Sequence, residues 1–325
     1  MRSVVCRELD VPESVVLEES PPGPLDPSEV RVRVTAAGVN YVDGLFVQGL
    51  YQIRPEPPFT PGSELAGVVE AVGADVDSWA PGDRVMASVG LGAFCSEIDL
   101  HPNRLVGVPE SISDTRAATL GQSYATAWFA LTRRAMAREG ESIVVLGAAG
   151  GVGLATLDVA RSLGLFTVAA ASTRSKLDLC IQRGAHEVID YSTEDLKTRA
   201  RELTGGGADI VFDPVGGDNT EAGLRSLREF GRLVVIGFAS GAIPALPANQ
   251  VLLRNRSVLG VDWGAWALGN PELNAALMQE VLAAVDRGEL DPVEPETRPL
   301  SEAGAAMRDL LERRVAGKLC LVPGN

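Results

Sequence analysis

Histidine and cysteine are nearly missing from this chain. Two histidines, His101 and His186, and four cysteines, Cys6, Cys95, Cys180 and Cys320, are scattered over 325 residues. No Cys-x-x-Cys pair occurs, so neither a disulfide framework nor a zinc site can be built from sequence neighbours. An excess of positive charge is missing as well. With 29 Lys and Arg against 43 Asp and Glu, the net charge is −14. That balance argues against nucleic acid or an anionic membrane as partner, because both are polyanions. Membrane-length apolar runs are also absent. The longest uncharged stretch, 233–253, is broken by Gly237, Gly241, Pro244 and Pro247. The opening MRSVVCRELDVPES lacks the apolar core of a signal peptide. These absences lead us to expect a soluble, cytoplasmic protein without a metal.

What is present is the material of a sizeable core. The chain is 46% hydrophobic, too apolar for intrinsic disorder, and long enough for two domains. The first 120 or so residues read as β-rich. Glu29 to Val34 alternate as EVRVRV, a half-buried strand. Further strands are expected over 66–72 and 83–89, with Pro-Gly turns at 61–62 and 81–82 and a Pro-rich connection over 21–28. A small irregular β-barrel fits this texture. From residue 142 the texture changes. Short apolar runs at 143–146, 167–171, 188–189, 209–212 and 232–236 alternate with helical segments such as 153–163 and 195–203. That alternation predicts a doubly wound parallel sheet, so the fold class is α/β. Two helical stretches, 271–287 and 301–313, and a short strand over 319–322 close the chain, and this tail is expected to fold back on the first domain.

The most informative motif follows the run 143–146. There the sequence reads GAAGGVGLATLDVARSLG, with Ala148-x-Gly150-x-x-Gly153 as a dinucleotide fingerprint. Gly150 lets the backbone approach a pyrophosphate, and Gly153 lets the helix pack closely on the strand. The free N–H groups at the helix start receive the phosphate charge. A strand before it, an amphipathic helix after it and a second strand beyond supply the context that a bare glycine motif lacks. The second strand ends Ala169-Ala170-Ala171-Ser172 without the acid that binds an NAD ribose. Thr173-Arg174-Ser175-Lys176 follows, a set suited to a 2′-phosphate. An ordinary capped helix start would look the same at Arg174 and Lys176.

Several separated segments then carry a resemblance over essentially the whole chain. They are AAGVNYVDGLFVQGLY at 36–51, PGSELAGVVEAVG at 61–73, PGDRV at 81–85, GAAGGVG at 147–153, GAHEVIDYSTEDL at 184–196, DIVFDPVGG at 209–217 and GFASG at 237–241. In this order they resemble the zinc-independent, zeta-crystallin-like quinone oxidoreductase branch of the medium-chain dehydrogenase/reductase superfamily. The resemblance implies a GroES-like β-barrel catalytic domain over 1–123 and 265–325, and a Rossmann domain over 124–264. Zinc-dependent members carry a cysteine ligand where this chain has Asn40 and a histidine where it has Ser63, and their four-cysteine loop is missing here. The resemblance therefore implies a metal-free, NADPH-dependent reductase whose acceptor takes hydride unaided. That acceptor is a quinone, or else the C=C bond of an enone, alkenal or enoyl thioester. A non-catalytic relative, of the lens-structural or RNA-binding kind, is the remaining reading, weakened by the charge of −14 and the intact fingerprint.

The same resemblance nominates residues. Asn40 would donate to the substrate oxygen, and Tyr41 and Tyr51 would pack on the acceptor or deliver a proton. Asp43 would orient the Asn40 loop. The cofactor would be held by Thr126, Ala149, Gly150, Gly151, Val152, Gly153, Ser172, Thr173, Lys176, Tyr191 and Phe238, with Arg314 reaching the 2′-phosphate from the tail. The alignment slips there, so Arg313 and Lys318 stand as alternatives. Finally, 257–261 (SVLGV) is apolar and free of charge and proline. Exposed at a sheet edge it would invite pairing, and a homodimer through it is expected.

Overall fold

The computed structural model describes residues 1–315 and 317–324. Among them the strands are β1 (Arg2–Val5), β2 (Val16–Glu19), β3 (Val30–Val39), β4 (Glu64–Val72), β5 (Arg84–Ser88), β6 (Glu97–Leu100), β7 (Leu105–Gly107), β8 (Ser142–Leu146), β9 (Phe166–Ala171), β10 (Glu187–Asp190), β11 (Ala208–Asp213), β12 (Leu227–Val235), β13 (Ser257–Gly260), β14 (Glu296–Pro299) and β15 (Leu319–Val322). The chain divides into two compact units. The first comprises Met1–Gln122, Gly264–Gly288 and Pro292–Asn325, and the second comprises Ser123–Trp263 with Glu289–Asp291.

The first unit is built on a mainly antiparallel sheet of order β14-β15-β3-β4-β5-β7, with β6 also pairing to β3. The strand β3 organises it. Its first half alternates, with Val30, Val32 and Val34 buried and Arg33 exposed. Beyond Thr35 the alternation ends, because Ala36, Ala37, Gly38 and Val39 are all buried. Small residues there admit β4 on one side and β15 on the other. Val30, Val32, Leu65, Val69, Val85, Phe94 and Met307 belong to one apolar core. The last strand thus returns to the first unit, pairing Leu319 with Val39, Cys320 with Gly38 and Leu321 with Ala37.

The second unit is a six-stranded parallel sheet of order β10-β9-β8-β11-β12-β13. The central strand β8, SIVVL, is buried along its whole length, as a parallel strand covered on both faces must be. The order reverses between β8 and β11. In open α/β sheets this reversal, at the carboxyl ends of the strands, is where ligands bind. Among the described residues the edge strand β13 pairs only with β12, and Val258 on it is exposed. No helix among the described residues is long and apolar enough to cross a membrane.

Candidate functional site

In the first unit, three strands deliver one polar cluster. Asn40 follows directly on β3, Glu64 opens β4, and Lys318 immediately precedes β15. Because Gly38 pairs with Glu64 and Leu319 pairs with Val39, the register carries Lys318 across to Asn40. The Lys318 ammonium donates to Asn40 Oδ1 at 2.7 Å and to Glu64 Oε1 at 3.2 Å. Asn40 Nδ2 donates to Glu64 Oε1 at 2.8 Å and to Ser63 Oγ at 3.2 Å. The other carboxylate oxygen of Glu64 accepts from the Gln122 N–H at 2.8 Å. Two glycines clear the space. A Cβ on Gly38 would lie 2.6 Å from Glu64 Oε1, and one on Gly121 would lie 3.0 Å from its Oε2.

Asn40 also caps the helix Tyr41–Val47 in a capping box with Asp43, whose Oδ2 accepts the Asn40 N–H at 2.7 Å. Asp43 therefore does hold the Asn40 loop. Complete burial pushes its carboxyl up to about 7, opposed by the bond from the Asn40 N–H and assisted by the nearby Glu64 charge. Tyr41 is the first residue of that helix and half-buried. Tyr51 sits edge-on to Phe46 with ring centroids 5.0 Å apart.

Two expectations change here. Asn40 is not poised to donate to a substrate oxygen, because both of its N–H bonds already point at Ser63 and Glu64. Lys318 is not the 2′-phosphate cation, because its ammonium is built into the first unit's polar cluster with Asn40 and Glu64. The donor set also does not suit a zinc ion. Asn40 and Ser63 are weak ligands, an ammonium already occupies the cluster, and no group of three or more His, Cys, Asp or Glu side chains is placed to hold a metal among the described residues.

The second unit holds the glycine turn. Strand β8 ends at Leu146, Gly147 turns back with φ +59°, and the helix Gly151–Ser162 begins after Gly150. The first intrahelical bond runs from the Leu154 N–H to Gly150 O, so the amides of Gly151, Val152 and Gly153 open at the helix end. The two later glycines differ in kind. A Cβ on Gly153 would lie 2.5 Å from Gly147 O and 2.6 Å from Ala148 O, so the fold itself demands glycine. A Cβ on Gly150 would meet only Gly147 O, at 3.4 Å, and its φ of −77° is open to any residue. The protein fold does not need Gly150, whereas a phosphate lying on the turn would. This cradle fits a dinucleotide pyrophosphate. Ala149 is buried beneath it.

At the carboxyl end of β9 the structure gathers further nominated residues. Thr173 caps the helix Arg174–Gln182, its hydroxyl accepting the Lys176 N–H. The Tyr191 N–H bonds to Ala171 O at 3.2 Å, which brings Tyr191 beside Ser172. Arg174 is tied to Asp178 at 2.9 Å, whereas the Lys176 ammonium makes no hydrogen bond or ion pair among the described residues. After β12, Phe238 leans on Gly216, where a Cβ would lie 2.9 Å from its ring. That loop is held by Asp213, which accepts from the Val215 and Gly216 N–H groups and from the Thr220 hydroxyl. Thr126 is buried, between π-helical turns at Gly121–Ala125 and Phe129–Arg134. In the first unit, Arg314 is 62% exposed and its guanidinium is paired with both Asp309 and Glu312. Arg313 has a positive φ of 59° in the same turn.

Comparison with known proteins agrees with this architecture. Residues 26–128 match the alcohol dehydrogenase GroES-like domain, and residues 151–282 match the zinc-binding dehydrogenase family. Quinone oxidoreductase-like protein 2 of Bos taurus is 40% identical over 322 residues, covering 98% of this chain and 92% of its own. The crystal structure of Escherichia coli quinone oxidoreductase complexed with NADPH superposes with a TM-score of 0.91 at 28% identity, over 99% of this chain and 100% of its own. The structure of CurK enoyl reductase superposes with a TM-score of 0.88 at 27% identity, over 99% and 98%. With its GroES-like and Rossmann-type units and an identity of 40% spanning nearly its full length, the chain belongs to the quinone oxidoreductase family of the medium-chain dehydrogenase/reductase superfamily.

Proposed function

We propose that this protein is a metal-independent oxidoreductase that uses NADPH to reduce a quinone. The observation that carries the reading is the Gly147–Gly153 cradle at the strand-order reversal, where Gly150 is spare to the fold and open to a phosphate. The quinone oxidoreductase relatives support the acceptor class, and the E. coli member was crystallised with NADPH. When bound, the nicotinamide supplies the hydride. The amides of Gly151, Val152 and Gly153 would hold the pyrophosphate, Lys176 with Thr173 and Tyr191 the 2′-phosphate, and Thr126 and Phe238 the nicotinamide end. The first unit would receive the acceptor, with Tyr41 and Tyr51 as packing surfaces. Four free, buried thiols suit a reducing, cytoplasmic setting. A second reading, reduction of an activated C=C bond, is favoured by the likeness to CurK enoyl reductase.

One assay separates these readings. NADPH oxidation is followed with a panel of quinones, alkenals and enoyl thioesters, before and after dialysis against a strong chelator. We expect quinone turnover that the chelator leaves unchanged. Faster turnover of an alkenal or thioester moves the assignment to the second reading. A loss restored by zinc alone removes metal independence, and no turnover with any acceptor leaves a binding protein.

We further propose a homodimer formed through β13. That edge lacks a pairing partner on one side among the described residues, and Val258, Leu252, Leu253 and Phe230 on and near it are exposed apolar side chains. Light scattering at micromolar concentration should give twice the chain mass, and Val258→Asp should give a monomer. A monomeric wild type would refute this.

A further inference from the structure

We infer that Lys318 is the catalytic residue that meets the acceptor's oxygen, donating the hydrogen bond and the proton that reduction requires. This inference rests on the reductase reading above. An amide has two N–H donors, and those of Asn40 go to Ser63 and Glu64, at 3.2 and 2.8 Å. Its Oδ1 accepts from Lys318 at 2.7 Å. Nothing on Asn40 is left to offer an incoming oxygen. An ammonium has three donors. Lys318 directs two of them, to Asn40 and Glu64, and no bond from the third is formed among the described residues.

Exposure points the same way. The Glu64 side chain is 1% exposed and that of Lys318 is 10%, so the lysine is the less buried of the cluster's two charged side chains. Both oxygens of Glu64 are engaged, with Lys318 and Asn40 on Oε1 and the Gln122 N–H on Oε2. It anchors the cation rather than serving a ligand. The position also has a chemical logic. Asn40 and Ser63 hold the cluster without any metal ligand of the His or Cys kind, and the cation bonded there is Lys318. An ammonium is an electrophile that also carries a transferable proton.

The step balances simply. Hydride delivered to one quinone oxygen forms its O–H bond, and the displaced electron pair passes through the ring to the other oxygen, giving the hydroquinone monoanion. A proton from Lys318 Nζ neutralises that oxygen, and the amine regains a proton from water. A charged N–H donor in a largely desolvated cluster stabilises such an oxyanion better than a neutral amide would.

The test uses 4-nitrophenol, whose anion absorbs visibly and mimics the hydroquinone anion, alongside turnover with the best quinone of the panel. Full-length wild type, Lys318→Met and Lys318→Arg are compared. The double variant Lys318→Met/Glu64→Gln is added because Lys318→Met alone leaves a buried carboxylate unpaired. Wild type should bind 4-nitrophenol as its anion at pH values where the free phenol is neutral, and Lys318→Met and the double variant should bind it at least about tenfold more weakly. In both, kcat should fall on the order of 10²- to 10⁴-fold, the range of a general acid, while the KM for NADPH and its fluorescence titration stay put. Lys318→Arg, which keeps the charge, should recover nitrophenolate binding. If the folded double variant keeps its kcat and its nitrophenolate affinity, the assignment of Lys318 is overturned while the reductase reading stands. If wild type binds nitrophenolate through Lys318 yet oxidises no NADPH, the donor stands and the reductase reading falls. If it does neither, both fall.

Discussion

Replacing Lys176 with alanine should raise the KM for NADPH tenfold or more and leave that for NADH nearly unchanged. The structure isolates this side chain. It lies in the first turn of the helix Arg174–Gln182, just beyond the carboxyl end of β9, and its ammonium has no partner among the described residues. Its neighbour Arg174 is already occupied by Asp178 at 2.9 Å. The strand it follows ends in Ala171 and Ser172, with no acid to hold a ribose diol. A charge-assisted contact to phosphate is worth about 1.5–3 kcal/mol, and each 1.4 kcal/mol is about a tenfold change in affinity. NADH has no 2′-phosphate, so it has nothing to lose. Wild type should accordingly prefer NADPH by at least about tenfold. Initial rates against both cofactors check this. Equal use of the two by wild type, or equal weakening of both by the variant, would make Lys176 a solvated surface residue and remove the NADP preference.

The two halves of the chain were legible to different degrees, and the reason lies in the range of the interactions. The nucleotide unit is written in short segments. Strand β8, the glycine turn and the helix Gly151–Ser162 are consecutive, so hydrophobic runs and glycine spacing are enough to read them. The first unit is held together by distant pairs. Alternation identifies the start of β3 at Val30 but fades after Thr35, where Ala36, Ala37 and Gly38 are buried between β4 and β15. The Asn40–Glu64–Lys318 cluster depends on that same register. Lys318 and Asn40 lie 278 positions apart, and only the pairing of β15 with β3 brings them together. The sequence does hold a faint signal. Glu64 heads the apolar run ELAGVV, and Lys318 immediately precedes the apolar run LCLV. Each is costly to bury alone and tolerable as a pair. The π-helical turns at Gly121–Ala125 and Phe129–Arg134 left no local pattern to read.

The glycine turn allows ligand space and fold space to be separated by experiment. Gly150→Val should abolish saturable NADPH binding while leaving the melting temperature nearly unchanged. Gly153→Ala should do the reverse first, lowering the melting temperature by several degrees. The backbone at Gly150 has φ −77° and ψ 167°, a conformation valine adopts readily, and a Cβ there touches only Gly147 O at 3.4 Å. The added methyls instead project over the open amides of Gly151 and Val152, where a pyrophosphate would lie. At Gly153 the new Cβ would come within 2.5 Å of Gly147 O, 2.6 Å of Ala148 O and 2.7 Å of Ala148 C. These are backbone atoms of the turn itself, so helix and strand must move apart. Overpacking of this kind costs roughly 1–3 kcal/mol, against the gain of about 1 kcal/mol that alanine brings to an ordinary helix interior. Thermal melting and NADPH fluorescence titration on the two variants give both readouts. A Gly150→Val protein that binds NADPH like wild type would mean that no phosphate rests on this turn, and the dinucleotide assignment would go with it.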